Sequence, residues 1–420
     1  MEDLAIVDKA IAATRCRHCG TVLDRSFCDL GMSPLANSYL RPDQLDRGEQ
    51  FYPLHAYVCS NCLLVQLAEF ESPQEIFGDY AYFSSYSSSW LEHAREYVEM
   101  MIARFGFNGD SRVMEIASND GYLLKNFVER GVSVLGVEPA ANVAAVAVER
   151  GIKTRVDFFG TALADELVAE GETYDLIIGN NVLAHVPELN DFVAGMAVAL
   201  ASDGIITMEF PHLLQLMMHS QFDTIYHEHF SYFSFLTVSK VFASHGLRMF
   251  DVEQLPTHGG SLRIFACHES ADRDQDPRVD DLLDGERAAG LDEVTTYESF
   301  SALAQRAKRR LLSFLIETKE SGRTIAAYGA PAKGNTLLNF CGAGTDFIDY
   351  TVDRSPYKQG HFLPGTHIPI HEPDHIRRTK PDYLLILPWN LKDEVMRDIA
   401  YIRDWGGKFV VPIPETEVLD

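Results

Sequence analysis

The sequence lacks any hydrophobic run long enough to cross a membrane. No stretch of its 420 residues approaches the roughly 18 consecutive apolar residues that a transmembrane helix requires. The N-terminus also lacks a basic start followed by an apolar segment, which is the pattern of a secretory signal peptide. There is no short-period repeat and no low-complexity tail. From these absences we expect a cytoplasmic protein that makes no contact with a membrane.

Positive charge is scarce as well. The chain has 36 Lys and Arg residues against 61 Asp and Glu residues, a formal net charge of -25. Such a chain repels a long nucleic acid unless a local basic stripe exists. The short basic run Arg306 to Arg310 is more typical of a solvated helix face. We therefore expect no nucleic-acid partner. A hydrophobic content of 46% and a charged content of 23% predict a globular protein with two or three domains.

Cysteine is present in a telling pattern. Four of the seven cysteines form two C-x-x-C pairs, Cys16 with Cys19 and Cys59 with Cys62. Each pair places two thiolates on one tight turn, and two such turns supply the four-sulfur set that structural zinc prefers. The connecting segment is longer than in the usual zinc ribbon, and His18 and Cys28 are spare candidate ligands. A four-sulfur site leaves no open coordination position, so the metal should build the domain and take no part in chemistry.

Three sections follow from the pattern of predicted elements. Residues 1–72 read as the metal-binding module, with strands expected near 51–58 and 63–68. Residues 73–271 alternate strands with helices, which predicts a doubly wound, largely parallel sheet. Residues 272–420 begin with charged helices and continue with a second alternating series, which predicts a smaller Rossmann-like domain.

The first strands of the middle section carry an adenosine-binding pattern. The first strand ends at Glu115 and leads into a turn that reaches Gly121, and the second strand ends in Glu138. Such a turn exposes backbone amides at a helix start, while an acid after the second strand accepts hydrogen bonds from a ribose diol. Ala117 and Asn119 stand where a dinucleotide fingerprint has glycines, so a sulfonium ligand without a pyrophosphate fits better.

This section resembles class I methyltransferases, with EIASNDG as a degenerate form of their first motif and DLIIGNNVLAHV as their fourth strand. Asp120 is either a helix cap or a ligand contact. We expect the following residues at the methyl donor: Glu115, Ala117, Asn119, Asp120, Gly121, Glu138, Asn180, Tyr82 and Ser84.

The stretch TIYHEHFSYFS, residues 224–234, combines two histidines, a glutamate and two tyrosines. His227 and His229 are two positions apart rather than four, which argues against the helical zinc motif. Whether the stretch is a strand or a turn stays open, and so does the direction in which each side chain points. The residue types suit removal of a carbon-bound proton. A neutral imidazole takes the proton, a carboxylate orients that imidazole, and phenol or imidazole donors stabilise the enolate.

The order of these parts resembles the sugar C-methyltransferases that act on nucleotide-linked 4-keto deoxysugars, in particular the C-3' methyltransferases of antibiotic sugar pathways. The resemblance covers nearly the whole chain. The matching stretches are CRHC with CSNC, GDYAYFSSYSSSW, EIASNDG, NNVLAHVPELNDF, TIYHEHFSYFS, THGGSLRIFA and YGAPAKGNTLLNF.

This resemblance implies an α/β protein: a class I methyltransferase (Rossmann-like) core, an N-terminal zinc-binding module and a smaller C-terminal Rossmann-like domain that helps to bind the nucleotide sugar. The implied cofactors are S-adenosylmethionine and structural Zn²⁺. By the Y-H-E-H motif, His229 is the implied base, with Tyr226 and Glu228 in support. His185 and Tyr80 are implied to lie near the sugar.

The implied partner is a nucleoside-diphosphate 4-keto deoxysugar, with dTDP as the expected nucleotide, methylated at C-3'. We expect Tyr86, Lys333 and Gly334 to contact it, and we expect a monomer or a weak homodimer. C-5 is an alternative acceptor, because it also adjoins the keto carbon. An oxygen or nitrogen methyltransferase and a zinc-ribbon interaction protein are the rival hypotheses.

The loop YGAPAKGNT, residues 328–336, follows a strand and precedes a helix. Helix-start amides and Lys333 there can cradle a diphosphate, although a plain strand-to-helix turn explains the same sequence. The loop lacks the Walker pattern, so ATP hydrolysis is not implied. In THGGSLRIF we expect a tight turn and a strand, with His258 in a structural role.

Overall fold

A computed structural model describes residues 14–70, 85 and 88–420 of the chain. The strands of this described part form three sheets, one based in each of the three predicted sections. None of the helices described combines the length and apolar character that a bilayer crossing requires.

The N-terminal sheet is small and antiparallel. Its strands are β1 (Arg25–Ser33), β2 (Tyr52–Val58) and β3 (Val65–Leu67), and it is completed by a two-residue strand from the middle section, Ser231–Tyr232. The two strands predicted from the sequence are confirmed as β2 and β3, whereas β1 was not predicted. Both cysteine pairs lie in turns outside these strands.

The middle section forms a seven-stranded sheet. After helix α1 (Ser88–Phe105), its elements are listed in chain order: β4 (Arg112–Ile116), α2 (Leu124–Val128), β5 (Ser133–Val137), α3 (Ala141–Glu149), β6 (Thr154–Arg155), α4 (Thr161–Ala169), β7 (Tyr174–Asn180), α5 (Leu189–Ala199), β8 (Leu200–Pro211), α6 (Leu213–Met218), β9 (Ser231–Tyr232), α7 (Phe235–Ala243), β10 (Leu247–Leu255) and β11 (Ser261–His268). The strand order is β10-β11-β8-β7-β4-β5-β6. In this order, β8, β7, β4, β5 and β6 pair parallel with one another. β11 pairs antiparallel with both β8 and β10.

Successive residues of the central strands face two different apolar layers. In β4, Val113 packs in one buried cluster and Met114 in another; in β7, Leu176 and Ile177 divide in the same way. Side chains alternate across a strand, so a core on each face needs near-continuous apolar sequence. This layering confirms the doubly wound sheet. The edge strand β6 is short, because only Thr154–Arg155 pairs there with β5.

The C-terminal section opens with three helices, α8 (Arg278–Ala288), α9 (Val294–Glu298) and α10 (Phe300–Glu320). Its further elements are β12 (Ile325–Tyr328), α11 (Ala332–Cys341), β13 (Thr351–Val352), β14 (Ile370–His371), α12 (His375–Thr379), β15 (Tyr383–Ile386), α13 (Lys392–Asp398), β16 (Lys408–Val411) and β17 (Glu417–Leu419). The sheet order is β14-β13-β12-β15-β16-β17, parallel except for β17. This is the second Rossmann-like domain predicted from the sequence.

The N-terminal sheet packs on the C-terminal section. Phe27 of β1 stacks on Phe300 of α10 with ring centroids 4.6 Å apart, and one buried cluster contains residues from both sections. The section borders at residues 72 and 271 therefore stay predictions from sequence, since the apolar packing is shared between sections.

Two helix glycines, one in a tight contact and one in open space, test the packing of helix α5. A Cβ on Gly195 of α5 would lie 2.7 Å from the backbone carbon of Gly160, whereas a Cβ on Gly285 of α8 would meet nothing within 4 Å. Gly195→Ala should lower the free energy of unfolding by about 1–3 kcal/mol through overpacking. Gly285→Ala should raise it by about 0.5–1 kcal/mol through helix propensity. Chemical denaturation of both variants checks this, and equal effects would contradict the packing of α5.

Candidate active site

The four paired cysteines converge as the sequence predicted. Their Sγ atoms all lie within 4.8 Å of one another, with Cys16 and Cys62 3.5 Å apart and Cys19 and Cys59 3.4 Å apart. A tetrahedral zinc with Zn–S bonds of about 2.3 Å places its sulfurs about 3.8 Å apart, so the set fits. Buried Gln66 donates a hydrogen bond from Nε2 to the Sγ of Cys16 at 3.2 Å, which favours a thiolate.

The two spare ligand candidates are not in this cluster. His18 bonds through Nδ1 to the side-chain oxygen of Asn190 at 2.9 Å. Cys28 lies buried in β1, and burial raises the pKa of its thiol to about 12. The site therefore consists of the two C-x-x-C pairs.

The loop after β4 makes a sharp turn beneath the sheet edge. Ala117, Asn119 and Gly121 all have positive φ, at 56°, 50° and 75°. A Cβ on Gly121 would also lie 2.8 Å from Cγ1 of Ile152, so this position needs glycine for both conformation and space. Of these three residues with left-handed backbone conformation, only Gly121 is a glycine.

Glu138 lies at the end of β5 and holds this loop. Its carboxylate accepts hydrogen bonds from the backbone N–H groups of Asn119 and Ala140, both at 2.9 Å. Burial raises the pKa of Glu138. Each carboxylate oxygen has a further lone pair for a ligand. The two strand-end acids separated in sequence are thus brought to one sheet edge, as predicted.

Buried acids make this edge suited to a cationic ligand. Burial, together with the charges of Glu138 and Asp120, raises the pKa of Glu115 well above its usual value. Within the described part of the chain, Oε2 of Glu115 and Oδ1 of Asn180 are buried without a hydrogen-bond partner. A sulfonium with an attached ammonium group would supply positive charge beside Glu115 and Glu138, neither of which forms an ion pair within the described part of the chain.

Asp120 does not cap the following helix. Its carboxylate lies 3.0 Å from the guanidinium of Arg150, and α2 begins after Leu123 without a side-chain cap. Of the two readings left open by the sequence, the helix cap is therefore wrong.

The histidine stretch is a turn followed by β9. The backbone N–H of His229 donates to the carbonyl of Tyr226 at 2.8 Å, which closes the turn. The rings of Tyr226 and His229 consequently pack against each other, with centroids 4.0 Å apart. The Tyr226 hydroxyl lies 2.8 Å from Nε2 of His229. His227, at the turn corner, points away and bonds to the carbonyl of Pro53 at 3.2 Å.

Two imidazoles meet at this turn, and both have their Nδ1 on a backbone carbonyl. His229 Nδ1 lies 2.9 Å from the carbonyl of Thr224, and His185 Nδ1 lies 2.8 Å from the carbonyl of Glu228. A carbonyl only accepts, so each Nδ1 carries the proton and each Nε2 is an acceptor. The ring centroids are 4.7 Å apart.

Both imidazoles are neutral. Burial lowers the pKa of His185 to about 4. Burial, and then the neighbouring His185, lowers the pKa of His229 well below its usual value. The Nε2 of His229 is therefore an unprotonated base that accepts the hydroxyl hydrogen of Tyr226.

Glu228 is placed differently from the sequence expectation. Its carboxylate does not orient His229; both oxygens accept from the side-chain amide of Asn37, at 2.7 and 2.9 Å. Burial raises the pKa of Glu228 to about 7. The residue supports the site through its backbone carbonyl, because that group fixes His185.

The C-terminal section adds cations to the same region. Lys333 donates from Nζ to the side-chain oxygen of Asn390 at 2.9 Å, and its charge further lowers the pKa of His229. Lys358 donates to the carbonyl of Ala330 in the YGAPAKGNT loop at 2.8 Å. Gly334 is explained by packing, because its Cβ would lie 2.9 Å from Cβ of Leu387.

The tight turn and strand expected at THGGSLRIF are present, as a turn at Thr257–Gly259 that leads into β11. His258 in this turn has a positive φ of 55°, its ring lies 5.6 Å from that of Trp90, and burial lowers its pKa to about 4. Sequence reasoning missed the roles of Thr224 and Asn37, which carry no local signal. Tyr80, Tyr82, Ser84 and Tyr86 lie outside the described residues.

Comparison with known proteins identifies the chain. It is 37% identical over 404 residues to the C-methyltransferase NovU of Streptomyces niveus, covering 96% of this chain and 96% of that relative. The chain belongs to this C-methyltransferase family. Three family models match in series: a zinc binding domain over residues 16–77, a methyltransferase domain over 90–252 and a C-methyltransferase C-terminal domain over 256–414.

Other proteins are similar to less than half of the C-methyltransferase. The ubiquinone biosynthesis O-methyltransferase of Bartonella quintana is 28% identical over 96 residues, 23% of this chain and 39% of that relative. The solved structure of PH0226 from Pyrococcus horikoshii OT3 covers 47% of this chain and 99% of its own, at 14% identity and a TM-score of 0.36. Magnesium protoporphyrin IX methyltransferase of Synechocystis, solved with bound SAM, covers 46% of this chain and 88% of its own, at 16% identity and a TM-score of 0.34.

The family and the site together define the cofactors. The C-methyltransferase uses S-adenosylmethionine, and its N-terminal module binds structural zinc through Cys16, Cys19, Cys59 and Cys62. The predicted fold class, a class I methyltransferase core between a zinc-binding module and a second Rossmann-like domain, is confirmed.

Zinc content tests the metal site. The C-methyltransferase should contain about one zinc per chain, and Cys16→Ser should lose that metal and unfold at lower temperature, because metal binding contributes to folding. Cys28→Ala is the control, since it removes a buried cysteine that is outside the cluster. Elemental analysis of purified protein checks this. A folded wild-type preparation without metal, or a metal-free Cys28→Ala, would contradict the assignment.

Proposed function

We propose that the C-methyltransferase transfers a methyl group to C-3' of a dTDP-linked 4-keto deoxysugar, with His229 as the base that removes the C-3' proton. The observation that carries this proposal is the neutral, buried imidazole of His229. Its Nδ1–H is held by the carbonyl of Thr224, so its Nε2 is the atom that receives a proton. A carbon acceptor needs such a base, whereas an amine acceptor needs little activation.

Tyr226 supplies the complementary donor. In the structure its hydroxyl lies 2.8 Å from Nε2 of His229. A keto oxygen arriving beside the turn offers this hydroxyl a new acceptor. Moving the hydroxyl to that oxygen both frees the lone pair of Nε2 and places a donor where enolate charge develops. One rearrangement therefore prepares the base and the oxyanion stabiliser together.

A residue of this chain accepts the proton that leaves the substrate carbon. His229 takes the carbon-bound proton and becomes an imidazolium beside the enolate, and the pair of opposite charges is stabilised in a buried setting. Bound S-adenosylmethionine would supply the methyl group for the new carbon–carbon bond, with its sulfur keeping the electron pair of the broken sulfur–methyl bond. The low pKa of His229 then favours return of its proton to solvent.

Cations of the C-terminal section suit an anionic substrate. The chain carries a net charge of -25, so Lys333 in the loop of residues 328–336 and Lys358 beside it stand out locally. The ten-residue helix α11 starts at this loop, and the N–H groups at a helix start favour phosphate. These features support a sugar diphosphate as the substrate class and Lys333 as a contact.

Substitution of the base tests the mechanism. His229→Asn should lower turnover by about 100-fold or more while leaving donor affinity nearly unchanged, as loss of a general base does. His227→Asn is the matched control two residues away, because its side chain bonds to Pro53 outside the site. Near wild-type turnover by His229→Asn would overturn the assignment.

The assay is mass spectrometry of dTDP-linked 4-keto sugars incubated with the enzyme and donor in heavy water. Methyl gain identifies the substrate, and the position of hydrogen exchange distinguishes C-3' from C-5. Methylation of an oxygen or nitrogen without exchange at carbon would contradict the proposal.

Donor binding has its own test. We propose that Glu138 accepts the ribose hydroxyls of S-adenosylmethionine while it holds the loop after β4. Glu138→Gln should weaken donor binding about 10-fold or more, because hydrogen bonds to a charged group contribute about 1.5–3 kcal/mol. Glu149→Gln at the exposed end of α3 is the control. Calorimetric titration with S-adenosylmethionine measures both, and equal affinities would contradict this role.

A further inference from the structure

We propose that Arg17 is a positioning residue that couples the zinc-binding module to the two chain segments carrying His185 and His229. This inference deepens the proposed function and rests on it for the catalytic part. The metal site would then set the geometry of the imidazoles as well as the fold of its own module.

The guanidinium of Arg17 touches three separate segments. Its Nη1 donates to the carbonyl of Pro187 at 3.1 Å, and its Nη2 donates to the carbonyl of Leu67 at 2.5 Å. Its Cζ lies 5.5 Å from the ring centroid of Phe230. No carboxylate within the described residues forms an ion pair with it. The side chain therefore acts as a planar fork between two backbone carbonyls rather than as one half of a salt bridge.

Two of these three contacts adjoin the histidine site directly. Pro187 lies two residues after His185, and Phe230 directly follows His229. The N–H of Phe230 donates to the carbonyl of Ala184 at 2.7 Å, which joins the two segments. Because both imidazoles take their orientation from backbone carbonyls of this region, a shift of either segment moves a ring.

The other end of the coupling is the metal site. Arg17 lies between the ligands Cys16 and Cys19, and its backbone N–H donates to Oε1 of Gln66 at 2.9 Å. The same Gln66 donates from Nε2 to the Sγ of Cys16. Closing the metal site therefore fixes the backbone from which Arg17 reaches toward His185 and His229.

A second clamp runs parallel to the first. The side-chain amide of Asn190 donates to the carbonyl of His18 at 2.8 Å, while its oxygen bonds to Nδ1 of His18. This clamp ties the cysteine turn to the segment after His185. Asn190 makes no hydrogen bond to the segment of His229 within the described residues. A substitution of Asn190 therefore separates an effect on His185 from an effect on His229.

The size of the effect follows from catalytic geometry. A misplacement of about 1 Å at a reacting group costs about 100-fold in rate. Lysine keeps the charge of Arg17 but cannot donate to two carbonyls as a rigid fork. Arg17→Lys should therefore disturb ring placement without removing a cation. Arg15→Lys is the matched control, because Arg15 is exposed and its side chain donates to the carbonyl of Gly20 in the same turn.

The test uses zinc-loaded, full-length protein labelled with ¹⁵N-histidine. Two-bond ¹H–¹⁵N spectra report the tautomer of each ring, and His185→Asn and His229→Asn assign the two resonances. In the wild type both rings should be the Nδ1–H tautomer. Arg17→Lys should shift or broaden both resonances while zinc stays at about one per chain and exposed His219 is unmoved. Arg15→Lys should match the wild type.

Unchanged His185 and His229 resonances in Arg17→Lys would overturn the inference, as would equal shifts in Arg15→Lys. If Arg17→Lys loses zinc, Asn190→Ala decides: it should shift His185 more than His229, and no shift of His185 would overturn the coupling. These spectra need no substrate, so they remain decisive if the wild type methylates none of the sugars. If it does methylate one, Arg17→Lys should lower kcat about 10-fold or more with the donor Kd unchanged.

Discussion

The site depends on one hydrogen bond, from Nδ1 of His229 to the backbone carbonyl of Thr224. This bond fixes the tautomer of a buried ring, and burial keeps that ring neutral. A charged imidazole at the same place would have no proton-accepting atom. The turn closed by Tyr226 and His229 adds the hydroxyl that faces Nε2. The chemistry proposed for this family member requires all three features at once, and the six residues 224–229 supply the groups involved.

The surroundings of that turn come from all three sections of the chain. Asn37 from the N-terminal module holds the carboxylate of Glu228, and the backbone of Glu228 holds His185. Strand β3 pairs with β9, which begins two residues after His229. Lys333 from the C-terminal section adds positive charge that lowers the pKa of His229 further. The zinc-binding module is thus part of the wall of the site, which gives a physical reason for a metal-built domain in an enzyme whose metal has no open coordination position.

Local patterns in the sequence were enough to predict the cysteine cluster, the doubly wound sheet of the middle section, the smaller Rossmann-like domain and the strand-end acids Glu115 and Glu138. Each depends on short spacings or on alternation along one element. The partners of Glu228 and Arg17 were beyond reach, because the bond from Asn37 spans 191 residues and that from Arg17 to Pro187 spans 170. Glu228 was expected beside His229 since they are neighbours in sequence. At a turn corner, however, adjacent side chains point in different directions, and the carboxylate of Glu228 accepts from Asn37 in another section.

The most direct test of the central claim is a crystal structure of the enzyme with S-adenosylhomocysteine and a dTDP-linked 4-keto sugar. The account predicts Nε2 of His229 within about 3.5 Å of C-3', the separation of a near-attack arrangement, with the Tyr226 hydroxyl on the keto oxygen and Nδ1 still on Thr224. A His229 ring turned away from the sugar, or an Nε2 whose nearest sugar atom is a hydroxyl oxygen, would contradict it.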